Sequence, residues 1–314
     1  MKKIKFFALL FVAFIAALVF AGCDGKGKVI AVVNGDNIYE STYDDMVEGL
    51  YAAQGTEATE EQKKQVYDSL ITSKLIEQEC QNLNIAVSDK DVDEYITNIA
   101  KANGLSNADF FKQLKDAYGY SSDFVEFLIK STLEEQALYN HVTANVAALD
   151  EAGYQGIYNA DPGKYKMVQV SHILTKVDAT TDDAAAYAKS LDLISQLNSG
   201  ADFAELAKAN SADGSASDGG KLSDYITADN STYVSEFVAG AISLGKTGDY
   251  TTAPVKTEYG YHIIKADSVL ASYDELKAVL KETVDNENRE KAYNDYLAAL
   301  KSKADIEDKL DFGN

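Results

Sequence analysis

From residue 41 to residue 147 the sequence reads as helix after helix, and none of them can be stable alone. Segment 60–83 carries Val66, Leu70, Ile71, Leu75, Ile76 and Leu83 at helical spacing, and a one-faced helix must bury that stripe against partners. Segments 88–102, 107–117 and 121–147 repeat the logic without a fixed period, which predicts a packed helical domain and not a solenoid. Hydroxyl residues followed three positions later by an acid or amide mark the helix starts as capping boxes: Ser41 with Asp44, Thr59 with Gln62, Ser88 with Asp91, Ser106 with Asp109. Ahead of them, the apolar run in "VIAVVNGDNIYES" ends at Asn34-Gly35, a turn signal from which the first helix starts. The chain has two prolines, Pro162 and Pro254, which suits long uninterrupted helices.

Residues 148–165 mix Gly, Asp and Pro and read as a boundary. Beyond it the order changes to β-α-α-loop-β-α-β-β over about 100 residues, a compact α+β domain. "KMVQVSHILT" is its first strand and "YTTAPVKTEYGYHIIKAD" its closing hairpin, while Asp202 and Glu205 cap an internal helix. From Ser272 to Ala304, opening on Ser272 and Glu275, the pattern returns to helix. That helix has no large partner of its own, so it is expected to pack back onto the N-terminal helices, which makes the α+β domain an insertion.

The first 22 residues stand apart from the fold. "MKKIK" is a basic leader and "FFALLFVAFIAALVF" an apolar run of fifteen residues, the length of a signal-peptide core and short for a bilayer span. "VFAGC" follows and resembles a bacterial lipobox, with Cys23 as the lipidated residue and Phe20 departing from the usual leucine. Without the leader the net charge goes from −21 to −24. So acidic a surface argues against nucleic acid as a partner and against electrostatic adhesion to an anionic membrane. Cys80 is then alone, without an intramolecular disulfide partner, on a helical pattern where a lone cysteine packs as a small hydrophobe.

The α+β segment contains two of the three histidines. Alternation places Val168, Val170, His172 and Leu174 on one strand face, and His262 on the same face as Ile264. Both imidazoles therefore point to an apolar interior or a pocket floor. Two histidines without Cys or acid ligands at motif spacing make no metal site. Ser171 faces the other way from His172, so no nucleophile triad is visible.

Taken with their surroundings these residues carry a resemblance. "VSHIL", "ADFAELAKANSADGSASDGGKL" and "EFVAGAISLGKTGDYTTAPVKTEYGYHIIK", in that order over residues 166–267, resemble a parvulin-type peptidyl-prolyl cis-trans isomerase. The flanking lipobox, strand-turn-helix, helical segment and C-terminal helix resemble the PrsA-like foldase lipoproteins of Gram-positive bacteria, with N-terminal helices similar to those of the chaperone SurA. The resemblance implies a mostly helical chaperone-like domain built from both chain ends, with an inserted α+β parvulin domain. Its expected divisions are 1–22 signal peptide, 23–28 tether, 29–165 helical domain, 166–268 isomerase domain and 269–314 closing helix.

By the same resemblance His172, Asp213 and His262 are the catalytic residues. Leu222, Phe237 and Tyr225 are the cup for the substrate proline, Tyr233 takes a further substrate-binding position, and Thr257 and Tyr259 flank the second histidine. "GGKLSDY" departs from the family's "GGDLGWF"-like run at Ser223, and residues 226–235 are longer and more polar than usual. The activity implied needs no cofactor and no metal. The implied partners are unfolded or partly folded secreted proteins and, through the N-terminal lipid on Cys23, the extracytoplasmic face of a Gram-positive cell membrane; a homodimer is compatible with it. The alternative left open is a non-catalytic holdase that keeps a parvulin fold for client binding.

Overall fold

Asn34 and Gly35 both take positive φ, 49° and 92°, as a two-residue hairpin turn requires. They fold residues 29–39 into strands β1 (Val29–Val33) and β2 (Asp36–Tyr39), paired antiparallel. Where the sequence predicts helix directly after the turn, a strand of four residues intervenes. The structure, a computed structural model, describes residues 27–51 and 55–310. The expected signal peptide 1–22, Cys23 and the tether up to residue 26 lie outside the described residues.

Helix α1 (Glu40–Tyr51) leaves straight from the hairpin, with the Glu40 N–H donating to the Lys28 carbonyl at 2.9 Å. Ser41 therefore sits inside the first turn and does not cap it. The other three expected caps form. Thr59 and Ser88 make full capping boxes for α2 (Glu60–Asn82) and α3 (Asp89–Ala102), and Ser106 accepts the Asp109 N–H at the start of α4 (Asn107–Tyr118). Helix α5 (Ser122–Thr143) follows. Val66, Leu70, Ile71 and Leu75 are each 5% exposed or less, in one core with Ile30 of β1, Ile96 of α3, Phe110 of α4 and Val125 of α5. Each such side chain contributes about 1.5–3 kcal/mol by burial.

Residues 148–287 form a second compact unit. It begins with α6 (Glu151–Ala160) and α7 (Pro162–Tyr165). Then come β3 (Met167–Lys176), α8 (Asp183–Asn198), α9 (Phe203–Asn210), a 3-10 turn at 214–218 and β4 (Lys221–Ile226). After α10 (Ser235–Ser243) the chain closes with β5 (Val255–Thr257) and β6 (Gly260–Leu270). The four strands make one antiparallel sheet in the order β4-β3-β6-β5. One face packs Val168, Val170, Ile226 and Ile264 against Phe237, Val238 and Ala241 of α10. The other packs Ile173 and Ile263 against Leu193 and Leu197 of α8 and Phe203 and Ala207 of α9.

This unit is wider than the segment 166–268 that motif boundaries suggest, for a packing reason. Tyr154 of α6 is buried with Leu280 and Val284 of α11 (Tyr273–Lys303), and Ile157, Tyr158, Tyr165 and Tyr273 close around them. The first part of α11 thus belongs with residues 148–287. Residues 288–310 group instead with the described residues before 148. There Tyr293 of α11 is buried with Ile76, Cys80 and Leu138. Cys80 is 2% exposed and its Sγ–H donates to the Glu134 carbonyl at 3.6 Å, and burial pushes its thiol up to about 12.

A last strand, β7 (Ile306–Asp308), pairs antiparallel with β1 to give the order β2-β1-β7. The junction is tied on both sides: the Asn34 N–H donates to the Asp305 carbonyl and the Asp305 N–H to Asn34 Oδ1, both at 2.8 Å. Tyr67 of α2 donates its hydroxyl proton to Asp308 at 2.8 Å.

Candidate active site

His172 lies in the middle of β3 and His262 near the start of β6. Across the two strands His172 pairs with Ile264 and Leu174 with His262, so the histidines are diagonal neighbours on the face covered by α10. Their rings lie 12° from parallel with centroids 5.4 Å apart, and their Nδ1 atoms are 3.2 Å apart. Phe237 of α10 stands edge-on to both, with ring centroids 5.1 Å from each. The histidines are 5% and 4% exposed. Burial, the main cause, lowers the pKa of both, and the neighbouring His172 helps bring His262 down to about 4.

Asp213 arrives from the loop after α9. The Ala212 N–H donates to the Leu174 carbonyl at 2.9 Å and Ser211 Oγ accepts the Leu174 N–H at 3.1 Å, which pins the loop to β3 beside His172. Asp213 Oδ1 then caps the 3-10 turn, accepting the Ser215 N–H at 2.8 Å and the Ser215 hydroxyl. Burial opposes ionisation of Asp213, but Ser215 and His172 outweigh it and hold the carboxyl at about 2. Its Oδ1 is 3.2 Å from His172 Nε2, close enough for strong electrostatic coupling. The contact is off the donor axis, and His172 Nε2 has no aligned hydrogen-bond partner.

Geometry fixes the direction of the protons. Asp213 is ionised and can only accept, so His172 carries its proton on Nε2, facing the carboxylate. A neutral His172 then has a bare Nδ1, which accepts from Nδ1–H of His262. The bare Nε2 of His262 accepts from the Thr257 hydroxyl 2.8 Å away, and Thr257 Oγ1 in turn accepts the Tyr259 N–H at 3.2 Å. All the links point one way, from the β5–β6 turn toward Asp213.

Of the residues expected in the cup, Phe237 and Leu222 come together, and Tyr233, expected at a further substrate-binding position, joins them. Leu222 and Tyr233 pack against the cluster containing Phe237, and the Tyr233 and Phe237 centroids are 5.5 Å apart. Tyr233 is set by Asn230, whose Oδ1 accepts the N–H groups of Thr232 and Tyr233 at 3.0 and 3.2 Å, so the long polar segment 226–235 is a positioning loop. Tyr225 does not join them. It pairs in one row with Gln169 and Ser268, bonding Ser268 Oγ through its hydroxyl at 3.1 Å, while its neighbour Ile226 is in the cluster with Phe237. Strand alternation turns Tyr225 to the opposite face. Thr257 is 4% exposed and within the histidine network; Tyr259 is 53% exposed and supplies its backbone N–H.

Three contributors lie inside the quoted motifs without a role assigned to them there. Ser211 and Ser215 hold Asp213, and their spacing around it is a capping pattern. Gly220 donates nothing by side chain, but its carbonyl accepts the His172 N–H at 2.8 Å, at φ +81°.

An antiparallel sheet with paired imidazoles under an aromatic wall is the core of a parvulin-type isomerase, and a model of the PPIC-type PPIase domain matches residues 172–268. A SurA-like N-terminal domain model matches residues 1–139. The chain is 30% identical over 325 residues to Foldase protein PrsA of Clostridium botulinum, covering 92% of this chain and 93% of that one. It is 29% identical over 308 residues to Foldase protein PrsA of Caldanaerobacter subterraneus, covering 89% and 90%. A crystal structure of the PrsA peptidylprolyl isomerase from Bacillus anthracis aligns at 25% identity over 72% of this chain and 92% of its own, with a TM-score of 0.37. The chain belongs to the PrsA foldase family. It is a peptidyl-prolyl cis-trans isomerase of the parvulin type within a foldase.

Proposed function

We propose that His172, Asp213 and His262 perform the isomerisation and that the chain works outside the cytoplasm, held to the membrane by a lipid on Cys23. The observation that carries the site is the one-directional network that ends at an ionised carboxylate beside an apolar wall. A prolyl bond turns over a barrier near the ~18–20 kcal/mol of peptide rotation, taking about tens of seconds uncatalysed. In the transition state the amide is twisted, its nitrogen pyramidal and its carbonyl swung away. Phe237, Leu222 and Tyr233 grip the proline ring while the carbonyl stays free to rotate. The neutral histidine pair fixes the floor without placing a competing charge under the ring. The Asp213 carboxylate lies next to the rotating carbonyl and disfavours the planar, charge-separated amide. Each ~1.4 kcal/mol of preference for the twisted form gives tenfold in rate.

The expected result is that Asp213→Ala and His172→Ala each slow protease-coupled isomerisation of short prolyl peptides roughly tenfold or more. Suppression of client aggregation should be nearly unchanged. Thermal unfolding is measured alongside, because a buried histidine without its partner destabilises by about 1–3 kcal/mol. A wild-type chain that protects clients but isomerises no peptide would establish the holdase alternative.

Support for the anchor comes from the lipobox-like "VFAGC" that follows the apolar run of residues 6–20. Two acyl chains on Cys23 give stable attachment where one is marginal. Cys23→Ser should therefore release the protein from the membrane fraction or leave its leader uncut. A mature N-terminus found elsewhere, without lipid, would remove the anchor from this account.

A further inference from the structure

The segment that frames the cup, residues 211–237, contains one cation, Lys221, against Asp213, Asp218, Asp224, Asp229 and Glu236. Lys221 does not offset the charge inside the site. It pairs across the sheet with Ser171, whose hydroxyl bonds Asp267, on the face opposite His172. Lys208 and Lys256 of the same unit are engaged elsewhere, Lys208 with Glu205 at 2.9 Å and Lys256 with Asp183.

Two of the acids meet at the cup. Asp213 is coupled to His172 as described. Asp224 is two residues from Ile226 on β4, so alternation sends it to the Phe237 face. The charges of both Asp224 and Asp213 act on the Tyr233 hydroxyl, whose pKa is raised first by burial and then by these two carboxylates. Tyr233 therefore has the proline wall on one side and two carboxylates within electrostatic reach of its tip. A second observation points to a ligand at the same place. His172 Nε2, almost wholly buried 3.2 Å from Asp213, makes no aligned hydrogen bond to it, and the Asp213 side chain keeps 34% exposure, so the carboxylate is left open to a donor from the client.

We infer that this site selects prolyl bonds preceded by a lysine or arginine. The inference rests on the isomerase reading of the same site. The residue before proline is one peptide link, about 3.8 Å between Cα atoms, from the ring held on Phe237. A long cationic side chain there lays its apolar stem along the Tyr233 ring and brings its head to the carboxylates. A glutamate in that position meets like charge instead, and an alanine meets neither.

The test uses the full chain and three peptides that differ only in lysine, alanine or glutamate before the proline. Both kcat/KM and the peptide Kd are measured, at low and high salt. The expected order is lysine, alanine, glutamate, with a lysine-to-glutamate ratio of roughly fivefold to tenfold at low salt that shrinks as salt screens it. Asp224→Asn should narrow the ratio and Asp224→Lys should bring it to one or invert it. Equal values for the three peptides, or a ratio that neither variant moves, overturns the inference. If no peptide is turned over but the Kd order holds, the isomerase reading fails and the selection stands; equal Kd values without turnover overturn both.

Discussion

Gly220→Ala is expected to abolish isomerase activity and to unfold the unit of residues 148–287 at temperatures where the parent chain is intact. An alanine Cβ at this position would lie 2.1 Å from the His172 carbonyl oxygen and 3.0 Å from its carbon, and the backbone there has φ +81°. Both obstacles are backbone, so no side chain can swing aside. Left-handed backbone costs a residue with a Cβ roughly 1–2 kcal/mol. Relieving the clash also breaks the His172 N–H bond to the Gly220 carbonyl, for about 1 kcal/mol more. With the displaced strand the total is on the order of 3–5 kcal/mol, a large part of the ~5–15 kcal/mol that holds a domain together. Gly214→Ala, where nothing lies within 4 Å of the new atom, is the matched control and should melt like the parent. Calorimetry and peptide isomerisation on the two variants decide it; a Gly220→Ala chain with parental melting would show that β4 can shift without cost.

Raising the pH from 4.5 to 8 should weaken the helical unit, and Glu134→Gln should remove much of that loss. Glu134 on α5 is 6% exposed and its Oε2 has no hydrogen-bond partner. Burial pushes its carboxyl up to about 7, with Glu77 adding to the rise and Lys130 and Lys74 opposing it. Glu135 is raised to about 7 as well, by burial and by Glu290. The folded state holds these protons more tightly than the unfolded chain, whose carboxyls titrate near 4.5. Their contribution is therefore complete below pH 4.5 and is lost as pH rises to about 7. At ~1.36 kcal/mol per unit the swing is on the order of 3 kcal/mol for each carboxyl. Glu134→Gln keeps the shape and cannot ionise, so its melting temperature should match the parent at pH 4.5 and exceed it at pH 8. A difference that stays constant with pH would mean that Glu134 is ionised in the fold at both values.

What could be read from sequence was what local chemistry decides. Thr59, Ser88 and Ser106 cap helices because a hydroxyl and the residue three on meet within one turn, whatever packs around them. Ser41 has the same spacing and fails, because the Lys28 carbonyl already satisfies the Glu40 N–H and starts the helix earlier. The faces of β3 and β6 follow from alternation, which turns both histidines toward an apolar interior; that Phe237 of α10 supplies that interior is set by packing. Tyr225 shows the limit of motif matching: its position matched an aromatic slot, but its strand neighbour Ile226 takes the core and turns it away. Strand β7 has three residues, two of them acidic, and nothing in "IED" calls for a strand. Its hydrogen bonds come from β1, and no window of sequence contains both.

That pairing has a consequence for timing. Val33 is bonded in register with Ile306, so a chain that emerges N-terminus first has spun out almost all of its length before β1 can find this neighbour. Contacts between such distant residues form late, since the loop between them must be closed first. The stretch between them has no such wait: β3 through β6 meet within about a hundred residues and can form once those have emerged. Between the emergence of residue 270 and that of residue 306 the protein would thus have a formed isomerase sheet, while β1 and β2 stand paired with one edge of β1 vacant. For that interval the foldase is itself an unfinished client, with an open strand edge of the kind that other chains add to.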